Sequence, residues 1–382
     1  MSDSLSGLRS DAPHGAPPKS VDVLIIGGGP AGLAAATWVG RYRRSTLLVD
    51  AGCQRNLAAD EIHGMLGTGP STPAEFYADA HEGLREYPTV RRLDGVATDL
   101  VRDADDRFIA RIAPTAGGAG DARDAGGAGD GREIEPEKYD KSDDDDNEDS
   151  GDDRVTVVAK RIILATGVRD RLPAFDGISD HYGIDVHHCP ACDGLTGADR
   201  RIIVLGVGPH VPAYASELLD WAAEVVIITE SDSDPAFGDD QRAACARHDI
   251  EVIDGVAREL VGEPGALEGV RLDDGRVIAG SKVFFSYAHH PTNELAEQLG
   301  CELDDEGGIK VNALQLTSVD GVYAAGHIVT GLQLVPIAVG TGAAAGVACA
   351  TSLRGHTTTE DVPDPAPPTR TFTRPERQRP DS

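Results

Sequence analysis

Apolar residues in this chain come in short runs that end at glycine. Residues 21–26, Val-Asp-Val-Leu-Ile-Ile, lead straight into Gly27-Gly28-Gly29-Pro30-Ala31-Gly32. A largely apolar run that stops at glycine predicts a buried parallel strand. Leu33-Ala34-Ala35-Ala36 then opens a helix, and a second strand over 45–49 ends in Asp50. The order recurs downstream: a strand over 201–205, the turn Gly206-Val207-Gly208-Pro209-His210-Val211, a helix over about 212–223, and a strand over 225–229 ending in Glu230. Gly27 to Asp50 spans 23 positions and Gly206 to Glu230 spans 24. The chain therefore carries two copies of one supersecondary unit.

The remaining pattern surrounds these units. Residues 52–78 read as loops and a short helix, with His63 as a packing or hydrogen-bonding residue rather than a catalyst. Residues 96–113 read as a strand and hairpin, and 154–165 as a strand whose end, Ala165-Thr166-Gly167, allows close backbone contact with a nucleotide. Hairpin strands run on to 285, and 317–327 make a turn, a strand and a glycine bend at Gly326. Residues 328–353 hold no charged side chain, yet Gln333, Pro336 and four glycines argue against a membrane span. They predict a Gly/Ala-rich buried helix with its N-terminus near 336–338, so that Ala338 lies at a cofactor. The fold class is α/β: two Rossmann-like, three-layer ββα dinucleotide-binding domains, the second inserted in the first. The first domain takes 21–172 and 291–354, the second 173–290, with crossings near 173–177 and 283–293.

Charge changes the picture in one place. Residues 114–153 carry 15 acidic and 4 basic side chains, which predicts a disordered insertion between two hairpin strands. The liganding glycine turn of an EF-hand is missing from it. Net charge is −29 with pI about 4.6, so nucleic acid and anionic membrane are excluded as partners. Lysine occurs only at 19, 138, 141, 160, 282 and 310; acidic excess with scarce Lys points to a halophilic setting. Residues 1–20, which contain no h-region of a signal peptide, and 355–382 read as disordered tails.

The candidate chemistry starts with the glycines. In Gly27-x-Gly29-x-x-Gly32 they permit a tight turn, close approach to a pyrophosphate, and close packing of helix on strand. The helix start at Pro30 and Ala31 turns its positive end to the phosphates, and Asp50 accepts ribose hydroxyls. Gly206, Gly208 and Glu230 occupy the matching places in the second copy, but Val211 replaces the third glycine. Of six cysteines, Cys53, Cys245, Cys301 and Cys349 are scattered, and only Cys189-Pro190-Ala191-Cys192 is closely spaced. In a reducing cytoplasm such a pair is a redox dithiol or a metal site. Protonated His187 and His188 would lower a thiol pKa, and Asp193 is suited to general acid work.

With these motifs in this order, the chain resembles the low-molecular-weight thioredoxin reductases and their flavoprotein relatives, the dithiol oxidases. The carrying residues are 27–32, 165–167, 189–193, 206–211 and 317–326. The resemblance implies FAD in the first domain, held by the first turn, Asn56, Thr166, Gly167, Gly326 and the residue after it. It implies NADH or NADPH at the second turn. It makes Cys192 the thiol facing the flavin, Cys189 the interchange thiol and Asp193 the proton-managing acid, in a homodimer whose domains rotate. The chain departs from the family where His327 replaces an Asp, where Gln333-Leu334 replaces Arg-Gln, and where Ser231 and Asp232 replace a basic cluster. The acid at 230 favours NADH over NADPH.

Three functions follow. The first passes electrons from NADH or NADPH through FAD and the dithiol to a thioredoxin-like protein or small disulfide. The second is an FAD-dependent dithiol oxidase using oxygen. The third is a zinc-stabilised binding protein using His187 or His188 with both cysteines.

Overall fold

A computed structural model describes residues 17–67, 69, 71–115, 154–230, 237–287 and 289–354. Most of the expected tails, nearly all of the acidic insertion, and Ser231 and Asp232 lie outside the described residues.

The first domain is built on one long parallel sheet. Its strands run Val90–Arg102, Thr46–Asp50, Ser20–Ile26, Val155–Leu164 and Val322–Ala324. The strand Val90–Arg102 starts before the expected hairpin, because its first half pairs with Thr46–Asp50. Its second half turns away to pair with Phe108–Pro114, which in turn pairs with the start of Val155–Leu164. Two long strands thus belong to the sheet and to a three-stranded meander lying on it. The first strand feeds both resulting cores: Leu24 and Ile26 face the meander, while Val23 and Ile25 face the helices. That is why its sequence shows a run rather than an alternation.

The helix layer consists chiefly of Pro30–Arg41 and Val335–Ser352. The second is the long uncharged stretch, and it lies against the first through glycine. A Cβ on Gly342 would come within 2.1 Å of the Ala31 carbonyl oxygen, and one on Gly346 within 2.7 Å of that of Ala35. Its length and hydropathy would suffice for a membrane span, but the face holding Ala338, Gly342 and Ala345 is buried in the helix layer.

The second domain repeats the plan. Its parallel sheet runs Glu251–Ile253, Glu224–Ile228, Arg201–Gly206, Lys282–Ser286 and Val186–His187. A hairpin sheet of Ala257–Glu263, Ala266–Leu272 and Val277–Ala279 covers one face. The helix Val211–Leu218 ends before the expected 223. The chain tightens there into turns closed on Leu218, and the Trp221 carbonyl is taken by the Asp199 amide at 3.0 Å.

The two chain crossings pair with each other. Val168–Asp170 runs antiparallel to His289–Pro291, which satisfies backbone groups of both linkers. The crossing lies ahead of 173–177; Asp176 in that segment already bridges Glu259 of the hairpin sheet.

Candidate active site

A cavity of about 510 Å³ lies between the first turn, the crossing strands and the CxxC segment. At its floor is the first glycine turn. Gly27 has φ +113°, and a Cβ on it would meet the Ala165 carbonyl oxygen at 2.1 Å. A Cβ on Gly32 would meet the Gly27 oxygen at 1.8 Å, so this glycine sets helix-to-strand packing and does not itself line the cavity. Gly29 differs: among the described residues, nothing beyond its chain neighbours lies within 4 Å of its Cβ position. Its requirement for glycine comes from the cavity side, where the helix beginning at Pro30 presents its N-terminus.

Buried polar atoms that lack a hydrogen bond among the described residues mark what the cavity is built to hold. Asp50 Oδ1 accepts from the Gly52 amide and Gln54 Nε2, both at 2.9 Å. Its Oδ2 lies 3.1 Å from Arg92 Nη2 but accepts no hydrogen bond. Asn56 accepts from the Tyr77 hydroxyl at 2.8 Å through Oδ1, and its Nδ2 has no partner. His327 Nδ1 lies 3.4 Å from Arg55 Nη1, which can only donate. The imidazole proton is therefore on Nε2, which is buried and makes no hydrogen bond of good geometry among the described residues, although the Leu334 backbone lies within reach of the ring. Burial first, then the Arg55 charge, pushes His327 down to about 4, so the ring is neutral. One acceptor and two donors thus line a cavity with a glycine cradle. These residues fit FAD: the turn at the pyrophosphate, Asp50 at a ribose, Asn56 and His327 at hydroxyl or ring groups. Bound there, FAD would supply a two-electron exchange partner for a disulfide at contact distance.

The other expected contacts are more passive. The Thr166 hydroxyl is spent on the Thr292 carbonyl at 2.6 Å, which ties the strand end to the returning crossing. Gly167, at φ +68°, contributes backbone only. Gly326, at φ +79°, bends the chain beside Ala31, and Ala338 lines the cavity with its amide already bonded to the Leu334 carbonyl. His63 is exposed, with Nδ1 3.9 Å from Glu61 Oε2, so of the two expected roles its contact is polar rather than packing.

Arg55 and Asp170 are functional-site residues that sequence reasoning missed. Arg55 Nε and Nη2 make a bidentate pair with Asp170 at 2.6 and 2.5 Å, and Nη1 donates to Gln333 Oε1 at 2.5 Å. Gln333 Nε2 lies 2.8 Å from His289 Nε2 on the returning crossing. The signal available was a cation directly before Asn56, in a family position whose usual Arg is absent near 333.

The sulfurs enter the same cavity from above. Cys189 and Cys192 form a disulfide, so in this oxidised state neither is a thiolate. They line the cavity together with Asp193 and His188. The Cys192 amide donates to Cys189 Sγ at 3.1 Å, a contact that favours negative charge on that sulfur. His188 is pushed down to about 4 by burial and Arg55, so it is neutral and does not supply the cation expected of it.

The second turn is built differently. Its helix begins at Val211, two residues later than the first copy would place it. His210 lies across the turn, 2.8 Å from Ser286 Oγ, with its ring against Gly208. Val211 is fully buried at the third position, its Cγ2 in the space a Cβ on Gly206 would need. Glu230 is buried at φ +47°, and its Oε1 accepts from the Ala257 amide at 3.1 Å. Among the described residues the helix end, the turn and the acid of this second unit are each engaged within the protein.

Comparison with known proteins agrees with this geometry. The family model described as pyridine nucleotide-disulphide oxidoreductase matches residues 21–342. The thioredoxin reductase tcpT of Claviceps purpurea is 30% identical over 356 residues, covering 87% of this chain and 94% of that protein. Among solved structures, HlmI superposes with a TM-score of 0.73 at 30% identity, covering 88% of this chain and 93% of that one. An oxidoreductase from Agrobacterium tumefaciens gives 0.69 at 32% identity, covering 88% and 99%. The chain belongs to the pyridine nucleotide-disulphide oxidoreductases and is, within them, a thioredoxin reductase-like flavoprotein oxidoreductase.

Proposed function

We propose that this protein is an FAD-dependent thiol–disulfide oxidoreductase. The Cys189–Cys192 pair exchanges electrons between the flavin and a thioredoxin-like protein or a small dithiol or disulfide. One observation carries the reading: the disulfide and the glycine cradle share one cavity. Cys192 is the sulfur assigned to the flavin, Cys189 the one that exchanges with substrate, and Asp193 the acid between them.

The second turn supports one direction of flow. With His210, Val211 and Glu230 placed as they are, a dithiol is the better electron source than a nicotinamide. The net reaction then oxidises a dithiol to a disulfide and reduces oxygen to peroxide. The other direction, NADH-driven disulfide reduction, is favoured by a family match that runs through the whole second unit. We further place the protein in the cytoplasm as a homodimer.

Anaerobic titration of the flavin spectrum tests both directions. A dithiol is expected to bleach the flavin and, with air admitted, to release peroxide. Bleaching by NADH or NADPH alone would reverse the direction, and no bleaching by any of them would overturn the proposal.

A further inference from the structure

The CxxC segment carries a second titratable partner that the reading above does not use. Among the described residues, the ion-pair contact of Asp193 is to His187, with Nδ1 3.6 Å from Oδ2. His187 is 5% exposed, on the strand Val186–His187, and its ring centroid lies 5.3 Å from that of Phe284 in the neighbouring strand. Its Nε2 lies 3.1 Å from the Ile184 carbonyl, which can only accept, so that nitrogen carries a hydrogen. Lys282 Nζ donates to the same carbonyl and to Asp185, which holds the acceptor in place. In the neutral ring Nδ1 is then bare, and it faces a carboxylate. A lone pair and a carboxylate oxygen repel unless a proton lies between them.

We propose that His187 and Asp193 form a single proton-holding pair beside the dithiol, with His187 as the residue that positions and charges Asp193. The inference rests on the assignment of Cys189 and Cys192 as the redox pair. The groups that face the pair are the two sulfurs and His188 from its own segment, Tyr182 from beside the helix Ile178–His181, and Tyr214 from the helix Val211–Leu218. Glu217 acts on Tyr214, Arg55 and Asp170 act on His188, and Lys282 reaches the pair through Ile184. Burial pushes both tyrosine hydroxyls up and His188 down to about 4, so none of these three exchanges a proton near neutrality.

The pair then has a defined task. When a substrate thiolate opens the disulfide, an S–S bond forms to Cys189 and the Cys189–Cys192 bond breaks. Its electron pair leaves on Cys192 Sγ, and the proton of the pair passes to that sulfur. On closure the Cys192 thiol returns the proton to the pair and its sulfur attacks Cys189 Sγ, so the Cys189–Cys192 bond reforms while the bond from Cys189 to substrate breaks and the substrate leaves as its thiolate. No electrons move to the pair.

The test is alkylation of the reduced, FAD-loaded full chain by iodoacetamide from pH 5 to 9, read on the 189–192 peptide by mass. This needs neither turnover nor an electron acceptor, so its outcome is separate from that of the flavin titration. His187→Phe keeps the ring against Phe284 and leaves Asp193 a bare carboxylate beside the sulfurs. It should react about threefold to tenfold more slowly than native protein at pH 7. His187→Asn, which can bond Asp193 but cannot carry the proton, should do the same while retaining native flavin content. It decides the matter if the Phe variant fails to fold. Combining His187→Asn with Asp193→Asn should match Asp193→Asn alone. A His187→Asn profile that superposes on the native one, or losses that add in the double variant, would overturn the proposal.

Discussion

Replacing Arg55 should unfasten the crossing from the cavity, and the cost can be worked from its contacts. The guanidinium makes two parallel bonds to Asp170 at 2.6 and 2.5 Å, with side chains 17% and 10% exposed. Removing one member of a well-buried pair costs about 3–5 kcal/mol, because the other is left unpaired. Partial exposure puts this pair near the low end. Arg55→Met and Asp170→Asn should each lose about 3 kcal/mol, a large part of the roughly 5–15 kcal/mol that holds a typical domain. Arg55→Met combined with Asp170→Leu should lose less than the sum by at least about 1.5 kcal/mol, since no charge is then stranded. The assay is urea unfolding at pH 7.5 with the same saturating FAD in every sample, followed by flavin and tryptophan fluorescence. Single losses below about 1 kcal/mol, or strict additivity, would refute the claim that this pair fixes the crossing.

Other consequences are simpler. Gly32→Ala and Gly29→Ala should separate fold from ligand: the first collides with the Gly27 carbonyl at 1.8 Å and should yield insoluble or flavin-free protein, while the second meets nothing and should fold but bind FAD at least tenfold more weakly, measured by flavin-to-protein ratio and titration. His327→Phe removes a buried donor and should weaken FAD about tenfold by equilibrium dialysis, with little change in the urea midpoint of the apoprotein. The pH dependence follows from His188 and His327, both pushed down to about 4 from 6.5. Because their folded values are depressed, the unfolded chain takes up protons first as pH falls. Stability is full above about 6.5, declines through the window down to about 4, and loses about 2–3 kcal/mol per ring after allowance for partial exposure. Thermal midpoints measured every half unit from pH 7.5 to 4.5 check this, and a flat profile would count against neutral buried imidazoles.

How much of this was legible in the sequence depends on the range of the contact. The strand, turn and helix around Gly27 were readable because each signal is local: an apolar run, a positive-φ glycine, a Pro at the helix start. The helix Val335–Ser352 was readable because small residues and the lack of charge allow only close burial. Arg55 was not, because its partner Asp170 is 115 positions away and reaches it only through the crossing strands. Glu230 was read at its correct place in the repeat, but its side-chain direction is set by the Ala257 amide of the hairpin sheet, which no spacing rule encodes. His188 was read as a possible cation, yet burial and Arg55 keep it neutral. Local pattern fixed the two units, and tertiary contact decided how the side chains of each turn are engaged.

That last difference follows from one position in each copy. In the first unit Gly32 lets the helix approach until only 1.8 Å separates a notional Cβ from the Gly27 oxygen, and the helix can begin at Pro30 with its amides toward the cavity. In the second unit a buried Val211 stands at that position, so the helix cannot come as close and its first turn is given up. His210 lies in the segment ahead of the helix, with its Nε2 2.8 Å from Ser286 Oγ. A supersecondary unit can therefore serve as scaffold as well as nucleotide site. Here it carries the strand pairing, Phe284 to His187, that seats the CxxC over the first unit's cavity. Matching the first unit would take both changes, Val211→Gly to readmit the helix and His210→Ser to clear the turn. Either alone should leave NADH unable to bleach the flavin, and bleaching in the Val211→Gly variant would show that His210 is no barrier.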